Sequence, residues 1–482
     1  MNKIILVYGC LSLFFLTSCD ELKNNETIKN SKDLVYQEFV DALNTGDSIK
    51  IKEQIVKHWS DTLIGENNRW LTTDLNYWLA ANKEFGGLKF VSLGKDTFNN
   101  NQVAWLKGIT TKDWVGLEFD FDTNNRVLHT NVLRSCTPSN YDETNLEFAE
   151  NSYSELLKNY FEESERQDLF SGMVLVAKGD SIIYEGFHGY ANKEHTIRIS
   201  PKNKMVIAST TKMFTAVAIA QLVESNLLDL HQPISNYLDD FPTRIGSKVT
   251  TAHLLTHTSG IELDEIDGFM NEIRKARSVV EFYNINLKYL PALENYNNFN
   301  TLNNHDYSNE NFDILGRLIE VVSNEDFYSY LEKKIFKPLN MNSTGPIDMS
   351  TDLSFVTKNY QINRTKTGKL DEGFRDEVPA SDLSISRPAG SFYSTPQDLY
   401  KFMKALNSNT ILNTETTKEF VSRRVENLTI PIYKSWYGYG FYINERFGKE
   451  NYGHAGGIPG VSSRCEYYPE NDIYVIVISN YN

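Results

Sequence analysis

Apolar and polar positions divide the chain into stretches of different period. Ile4 to Leu16 is a mostly apolar run behind Lys3. It suits the core of an export signal and falls short of the about 20 residues that a membrane-spanning helix needs. Residues 20–30 (DELKNNETIKN) are polar and read as a flexible tether. From Asp33 onward Val35, Phe39, Ala42 and Leu43 recur at helical spacing, and Asn44-Thr45-Gly46 closes that helix. The period then changes to two: Leu88–Phe90, Val103–Trp105, Trp114–Phe121 and Val127–Leu128 are strand-like, and Asp122-Thr123-Asn124-Asn125 is a hairpin turn. Helices followed by a strand meander predict a small α+β domain over residues 31–137.

After a polar linker at 138–145, Phe148, Leu156, Leu157, Tyr160 and Phe161 mark a helix from Leu146 to about Phe161. Met173–Ala177 and Ile182–Tyr184 flank the tight turn Lys178-Gly179-Asp180-Ser181 and predict a hairpin. The stretch from Ser209 to Leu406 is mostly helical, and strands return at Tyr439–Ile443, Val461–Tyr468 and Ile473–Ile478. Strands at both ends with helices between them predict one sheet built from both termini, with an all-helical lobe inserted, over residues 146–482. No internal repeat or low-complexity block interrupts this plan.

Composition narrows the class. The 482 residues are 40% hydrophobic and 23% charged, which is ordinary for globular domains. A net charge of −15 opposes binding to phosphate backbones, so a nucleic-acid partner is not expected. Four cysteines, Cys10, Cys19, Cys136 and Cys465, are too few for a disulfide scaffold. Leu16-Thr17-Ser18-Cys19 resembles the bacterial lipoprotein lipobox. That resemblance implies a signal peptide over residues 1–18, cleavage before Cys19, lipidation of Cys19, and a tether over 19–30 that anchors the protein to a membrane of the cell envelope. The plainer reading is an ordinary secretory signal. Cys136 and Cys465 are expected to be buried free thiols.

The chemistry centres on Ser209-Thr210-Thr211-Lys212, which opens a helix running to about Ser225. On one helix face, residues three apart can touch, so the ammonium reaches the hydroxyl. Met213, Phe214, Ala216 to Ile219, Leu222 and Val223 are apolar on nearly every side, the pattern of a buried helix. A serine at its start gains the positive dipole end and free N–H groups. Ser92-Leu93-Gly94-Lys95 repeats the pattern within a strand-like stretch and is read as chance. Tyr307-Ser308-Asn309 stands at a loop end before a helix rich in Ile314, Leu315, Leu318 and Ile319. His454-Ala455-Gly456 is followed by Gly457, and the two glycines allow close approach of a substrate to the backbone.

In this order the three motifs resemble the serine β-lactamase and penicillin-recognising superfamily, in its class C β-lactamase and D-alanyl-D-alanine carboxypeptidase branch. Val249–Gly260, Lys337-Pro338-Leu339-Asn340-Met341 and Gly390–Thr395 look like that family too, over about residues 150–482. The resemblance implies that Ser209 is an acyl-accepting nucleophile and that Lys212 and Tyr307 share the proton work. It also implies that Asn309 binds a substrate amide and that His454 faces a substrate carboxylate. Gly456 would line the site, and the amides of Ser209 and Gly457 would form an oxyanion hole. A cationic His454 would make activity fall as pH rises past its ordinary pKa of about 6.5. Histidine in the third motif looks more like the peptidases and esterases than dedicated β-lactamases.

Two departures stand out. The loop from Asn297 to His305 is Asn-rich and lacks the family's Pro-Gly. Relatives usually continue past the last strand into a helix. Val475–Ile478 is an apolar run of the kind buried on both faces, so the 146–161 helix, the small domain or a protein partner is expected to cover it. The small domain itself looks like the nuclear transport factor two-like (SnoaL-like) cone fold, and a spacer or docking role is its plainer reading.

His253 and His257 stand four apart, but no H-E-x-x-H glutamate accompanies them, so structural roles are expected and no metal or cofactor is implied. Arg464 is either an aid to His454 or an ordinary strand-face arginine. Trp436, Tyr437, Tyr439, Phe441 and Tyr442 either line a groove or fill a core. Thr395-Pro396-Gln397-Asp398 is a helix-start box. The expected function is therefore an envelope-anchored serine hydrolase that works through an acyl-enzyme on D-amino-acid peptides, small esters or amides. The alternative is a non-catalytic lipoprotein scaffold that binds wall fragments or penicillin.

Overall fold

The computed structural model describes residues 31–59, 87–95, 102–109, 114–121, 126–134, 150–166, 168, 170–263, 266–293, 304–347, 353–362, 375–378, 386–430, 433–446 and 449–481. The expected export segment and tether, Cys19, the turn expected at 122–125, Cys136 and most of the Asn-rich loop lie outside these residues. The chain divides into two compact units.

In the first unit, α1 (Ser31–Asn44) and α2 (Ser48–His58) accompany a four-stranded antiparallel meander. Its strands are β1 (Leu88–Lys95), β2 (Gln102–Gly108), β3 (Trp114–Phe121) and β4 (Val127–Arg134). Gly46, at φ 64°, supplies the left-handed residue after α1. The α1 stripe Val35, Tyr36, Phe39 and Leu43 is buried with Trp59, Leu106, Leu117 and Phe119. Tyr36 stacks on Phe119 at 4.6 Å, and its hydroxyl accepts the Phe119 N–H at 3.0 Å. Aromatic rings thus fill the interior of this unit.

The second unit carries the helix α3 (Glu150–Arg166) through its Leu156–Phe161 stretch. Next come β5 (Gly172–Lys178) and β6 (Ser181–His188), then α4 (Lys212–Glu224), α5 (Asn309–Ser323) and α6 (Pro396–Asn407). Six strands close the chain: β7 (Val425–Ile430), β8 (Tyr433–Tyr437), β9 (Tyr442–Arg446), β10 (Lys449–Ile458), β11 (Val461–Tyr468) and β12 (Ile473–Ser479). The sheet runs β7-β8-β9-β10-β11-β12-β5-β6, and every neighbouring pair is antiparallel. The last strand pairs with the first hairpin, so both ends of this unit build one sheet around the helical insertion. The fold is α+β.

Some boundaries differ from the expectation. α3 runs to Arg166 rather than stopping near Phe161. Strands β7, β8 and β10 were not anticipated, because their mixed polar residues lack a clean alternation. The strand expected at Tyr439–Ile443 begins at Tyr442 instead; Gly438 and Gly440 bend the preceding segment, with Gly440 at φ 80°. Val475 to Ile478 is buried along its whole length. Ile476 and Ile478 join the main core, while Val475, Val176 and Tyr184 form a cross-strand row on the other face. Phe161 of α3 stacks on Tyr184 at 5.9 Å and packs on Phe170 at 4.9 Å. Cys465 is a buried free thiol, and burial pushes its pKa up.

Candidate active site

Ser209 sits in a tight 3-10 turn, Ala208–Thr211, that feeds directly into α4. The helix therefore begins at Lys212 rather than at the serine. Ala208 adopts φ 45°, a left-handed conformation that costs an alanine about 1–3 kcal/mol and needs outside support. The support is visible. The Ala208 carbonyl accepts the Thr211 hydroxyl at 2.8 Å and the Ser391 N–H at 3.1 Å. The Ser463 hydroxyl on β11 donates to the Ile207 carbonyl at 2.6 Å and receives the Thr210 hydroxyl at 2.8 Å. These bonds hold a partly exposed serine on a buried frame.

Lys212 is fully buried, and its ammonium donates to Ser209 Oγ at 3.1 Å, Asn309 Oδ1 at 2.8 Å and the Ala389 carbonyl at 2.6 Å. Three acceptors match the three N–H bonds of an ammonium, which is how a buried cation stays paired. The nitrogen also lies 4.8 Å from the Tyr307 ring centroid. Tyr307 hydrogen-bonds Ser209, which lowers its pKa, but burial outweighs that and raises it. The Ala389 carbonyl comes from a loop that also gives the Pro388 carbonyl to the Thr215 hydroxyl at 2.8 Å. Arg387 anchors this loop with a two-pronged bond to the buried Asp313 of α5. Burial raises the Asp313 pKa against the pull of Arg387 and Lys212. Gly316 makes the packing feasible, since a Cβ there would stand 2.2 Å from Pro388 Cγ.

His257 brackets Tyr307 through the backbone. Its carbonyl accepts the Asp306 N–H at 2.8 Å, and its Nδ1 accepts the Ser308 N–H at 3.1 Å. Its ring centroid lies 4.1 Å from that of Tyr307, with the ring planes 33° apart. The residue is wholly buried at φ 57°. Burial, with Lys212 adding to it, pushes its pKa well below the ordinary range, so the ring is neutral. His253 does something else: it completes a capping box with Thr250 at the start of the short helix Thr251–Leu255.

The third motif lies on β10 beside the serine. A Cβ on Gly456 would come within 2.8 Å of the Ser209 nitrogen and 2.3 Å of the Ile207 carbonyl, so only glycine fits. Pairing between β9 and β10 ends at Tyr442 with Gly453, whereas pairing with β11 continues to Ile458. Residues 454–458 therefore keep one open edge next to Ser209. Gly457 is exposed on that stretch with space around its Cα.

His454 departs from the cationic role expected of it. It is buried, its Nδ1 contacts the Ala455 carbonyl at 2.5 Å, and its Nε2 meets the Tyr437 hydroxyl at 2.8 Å. A carbonyl can only accept, so Nδ1 carries the proton, Nε2 is the acceptor and Tyr437 donates. Burial, then Lys212, lowers its pKa to about 3. A fall in activity through pH 6.5 is accordingly not expected from this ring. Arg464 cannot assist it. In the ladder Arg464 stands opposite Ala455 and Cys465 opposite His454, which puts Arg464 on the other face, where it pairs with Glu466 at 2.7 Å. Of the aromatic group, Tyr437, Tyr439 and Phe441 are buried; Trp436 and Tyr442 are partly exposed.

The structure thus brings Ser209, Lys212, Tyr307 and Asn309 into one hydrogen-bonded cluster, with Gly456 against it and His454 beside it but bonded elsewhere. Sequence reasoning missed the Ala389 carbonyl and the contacts of His257 with the Tyr307 segment, and it named Tyr437 only within an aromatic group left between groove and core. A main-chain carbonyl leaves no mark in a sequence, and His257 drew notice only for its spacing from His253.

Comparison with known proteins fits this cluster. Residues 157–482 match the Beta-lactamase family model. The chain belongs to the beta-lactamase family. It is accordingly a serine hydrolase of penicillin-binding-protein type. It is 28% identical over 311 residues to the putative penicillin-binding protein PbpX of Bacillus subtilis, covering 64% of this chain and 71% of that one. It is 24% identical over 318 residues to the teichoic acid D-alanine hydrolase of Staphylococcus aureus, covering 65% and 71%. A penicillin-binding protein from Bacillus halodurans shares the fold at TM-score 0.56 and 28% identity, over 67% of this chain and 95% of that structure. The D-amino acid amidase of Ochrobactrum anthropi shares it at TM-score 0.55 and 21% identity, over 69% and 91%.

Proposed function

We propose that this family member hydrolyses esters or amides of D-amino acids through an acyl-enzyme on Ser209. The observation that carries the reading is the bond from the buried Lys212 ammonium to Ser209 Oγ at 3.1 Å beside Tyr307. A serine hydroxyl is a weak nucleophile until a neighbouring base takes its proton. The Lys212–Tyr307 pair is that base when it holds one proton fewer than its two groups can carry. Ser209 Oγ bonds to the acyl carbon, the carbon–oxygen or carbon–nitrogen bond of the substrate breaks, and the pair returns the proton to the departing atom. Water then repeats the sequence to release the acid. In this reading the Ser209 and Gly457 amides stabilise the oxyanion. Asn309, with Oδ1 held by Lys212, has its NH2 group left for the substrate amide. The D-amino-acid substrate follows the names of the hydrolase and amidase that the chain resembles.

The same proposal places the enzyme at the cell envelope, held by lipid on Cys19, with residues 20–30 as the tether. Support comes from the lipobox-like Leu16–Cys19. A fluorophosphonate probe followed by intact-mass measurement tests the catalytic claim: an adduct that disappears in Ser209→Ala is expected, and no adduct on folded protein overturns it. Metabolic labelling with palmitate tests the anchor, and label retained in Cys19→Ser overturns that part alone.

A further inference from the structure

We infer that this site selects substrates whose departing half carries no carboxylate, so that its reaction is the cleavage of D-aminoacyl esters or amides with neutral or cationic leaving groups. The inference rests on the acyl-enzyme reading above and adds the chemistry of the leaving group.

The third motif is where the resemblance places recognition of a substrate carboxylate, and here it has none to offer. Gly456 shares a strand face with His454 and lies against the Ser209 amide, so His454 stands directly beside the reacting serine. Its single ring proton is spent on the Ala455 carbonyl at 2.5 Å. Its other nitrogen presents a lone pair, already taken by the Tyr437 hydroxyl at 2.8 Å. An approaching carboxylate would therefore find no N–H bond on this ring.

Among the described residues, neighbouring cations do not fill the gap. Lys212 donates to Ser209, Asn309 and the Ala389 carbonyl, and Arg464 lies on the opposite sheet face with Glu466. What does surround the imidazole is aromatic: Tyr442 at 4.8 Å, Tyr437 at 5.8 Å and Tyr307 at 6.4 Å between ring centroids. The faces of such rings attract cations and repel anions. A carboxylate desolvated among them without a partner is penalised far more than a neutral amide or alcohol, and an ammonium is partly repaid by the ring faces. The low pKa of His454 agrees, since the ring stays uncharged throughout the physiological range.

The test compares kcat/KM for N-acetyl-D-alanyl-D-alanine and for the same peptide with its C-terminal carboxyl amidated. Cleavage is followed as release of D-alanine or of D-alaninamide, so the same bond is read in both and only the charge of the departing half differs. The amidated peptide is expected to react at least about tenfold faster, and His454→Lys, which supplies the missing cation, to move the ratio toward the acid by at least about tenfold. Equal rates or a preference for the free acid in the unaltered chain overturn the inference, so a misfolded variant does not spoil the test. Where turnover of both peptides is too slow to follow, the same ratio is read as protection of Ser209 from a fluorophosphonate. Failure of that probe to label Ser209 at all sinks the hydrolase reading instead, which keeps the two outcomes apart.

Discussion

The four-residue pattern Ser-x-x-Lys occurs twice in this chain, and the two copies meet opposite fates. Ser209 and Lys212 lie on consecutive helical turns, where residues three apart share a face and the ammonium lands 3.1 Å from the hydroxyl. Ser92 and Lys95 lie on β1, where they pair with Trp105 and Gln102. Three residues along a strand span about 10 Å and place the two positions on opposite faces. The same letters thus make a reactive pair in one unit and two unrelated positions in the other. The motif carries no chemistry by itself; the backbone beneath it decides.

The sharpest break of that contrast is removal of each serine in turn. Ser209→Ala is expected to abolish the covalent adduct and to lower kcat by about 10^4–10^6-fold, the scale for loss of a nucleophile. Ser92→Ala is expected to leave both unchanged, which activity assays and intact mass will check.

The next effect comes from the frame around the helical copy. Arg387 pairs with the fully buried Asp313 and thereby fixes the loop whose Ala389 carbonyl receives Lys212. Arg387→Ala leaves a buried carboxylate without its cation. A loss of about 3–5 kcal/mol is expected in urea unfolding.

A subtler probe separates positioning from simple filling of space at His257. His257→Ala removes the acceptor for the Ser308 N–H and the ring against Tyr307, and a fall in kcat of about 10–100-fold is expected from a displaced phenol. Asn tolerates positive φ and carries an oxygen near the place of Nδ1, so His257→Asn is expected to recover most of that loss. Equal impairment of both variants would mean that the imidazole matters only as bulk. Stopped-flow acylation rates, with folding checked by thermal melting, distinguish the outcomes.

Acid should loosen the same region. His257, His305 and His454 are held neutral by burial, His305 at about 4 and His454 at about 3. Their folded pKa values lie below the unfolded value of about 6.5, so between these limits the unfolded chain binds more protons. Stability is then full above about pH 6.5 and falls as pH drops, by at most about 1.4 kcal/mol per pH unit for each histidine. Urea midpoints from pH 7.5 to 5 measure the slope, and His454→Gln should make it shallower.

How much of this was legible in the sequence depended on what kind of feature carried it. The apolar runs of α4, β5 and β12 and the partial alternation of β11 reflect burial, which leaves a pattern behind, so the sheet built from both termini could be read directly. Ser209, Lys212, Tyr307 and Asn309 could be placed because a motif order supplied what spacing could not. The state of His454 could not. Its neutrality depends on a carbonyl one residue away and on Tyr437, which reaches it from β8 with β9 between. The left-handed turns at Ala208 and His257 were equally hidden, because neither alanine nor histidine advertises positive φ as glycine does.

The smallest expected effect closes the comparison from the other side. Lys95 has the right chemistry and the right spacing from a serine, and differs from Lys212 only in the secondary structure that carries it. Lys95→Ala should therefore shift stability by less than about 0.5 kcal/mol and leave fluorophosphonate labelling of Ser209 at its original rate. Lys212→Ala, run alongside, should slow that labelling sharply, since it takes away the donor at Ser209 Oγ and one member of the Lys212–Tyr307 pair. If the Lys95 variant also labelled slowly while remaining folded, strand geometry would not be silencing the second copy, and helical placement would lose its standing as the feature that turns these four letters into a site.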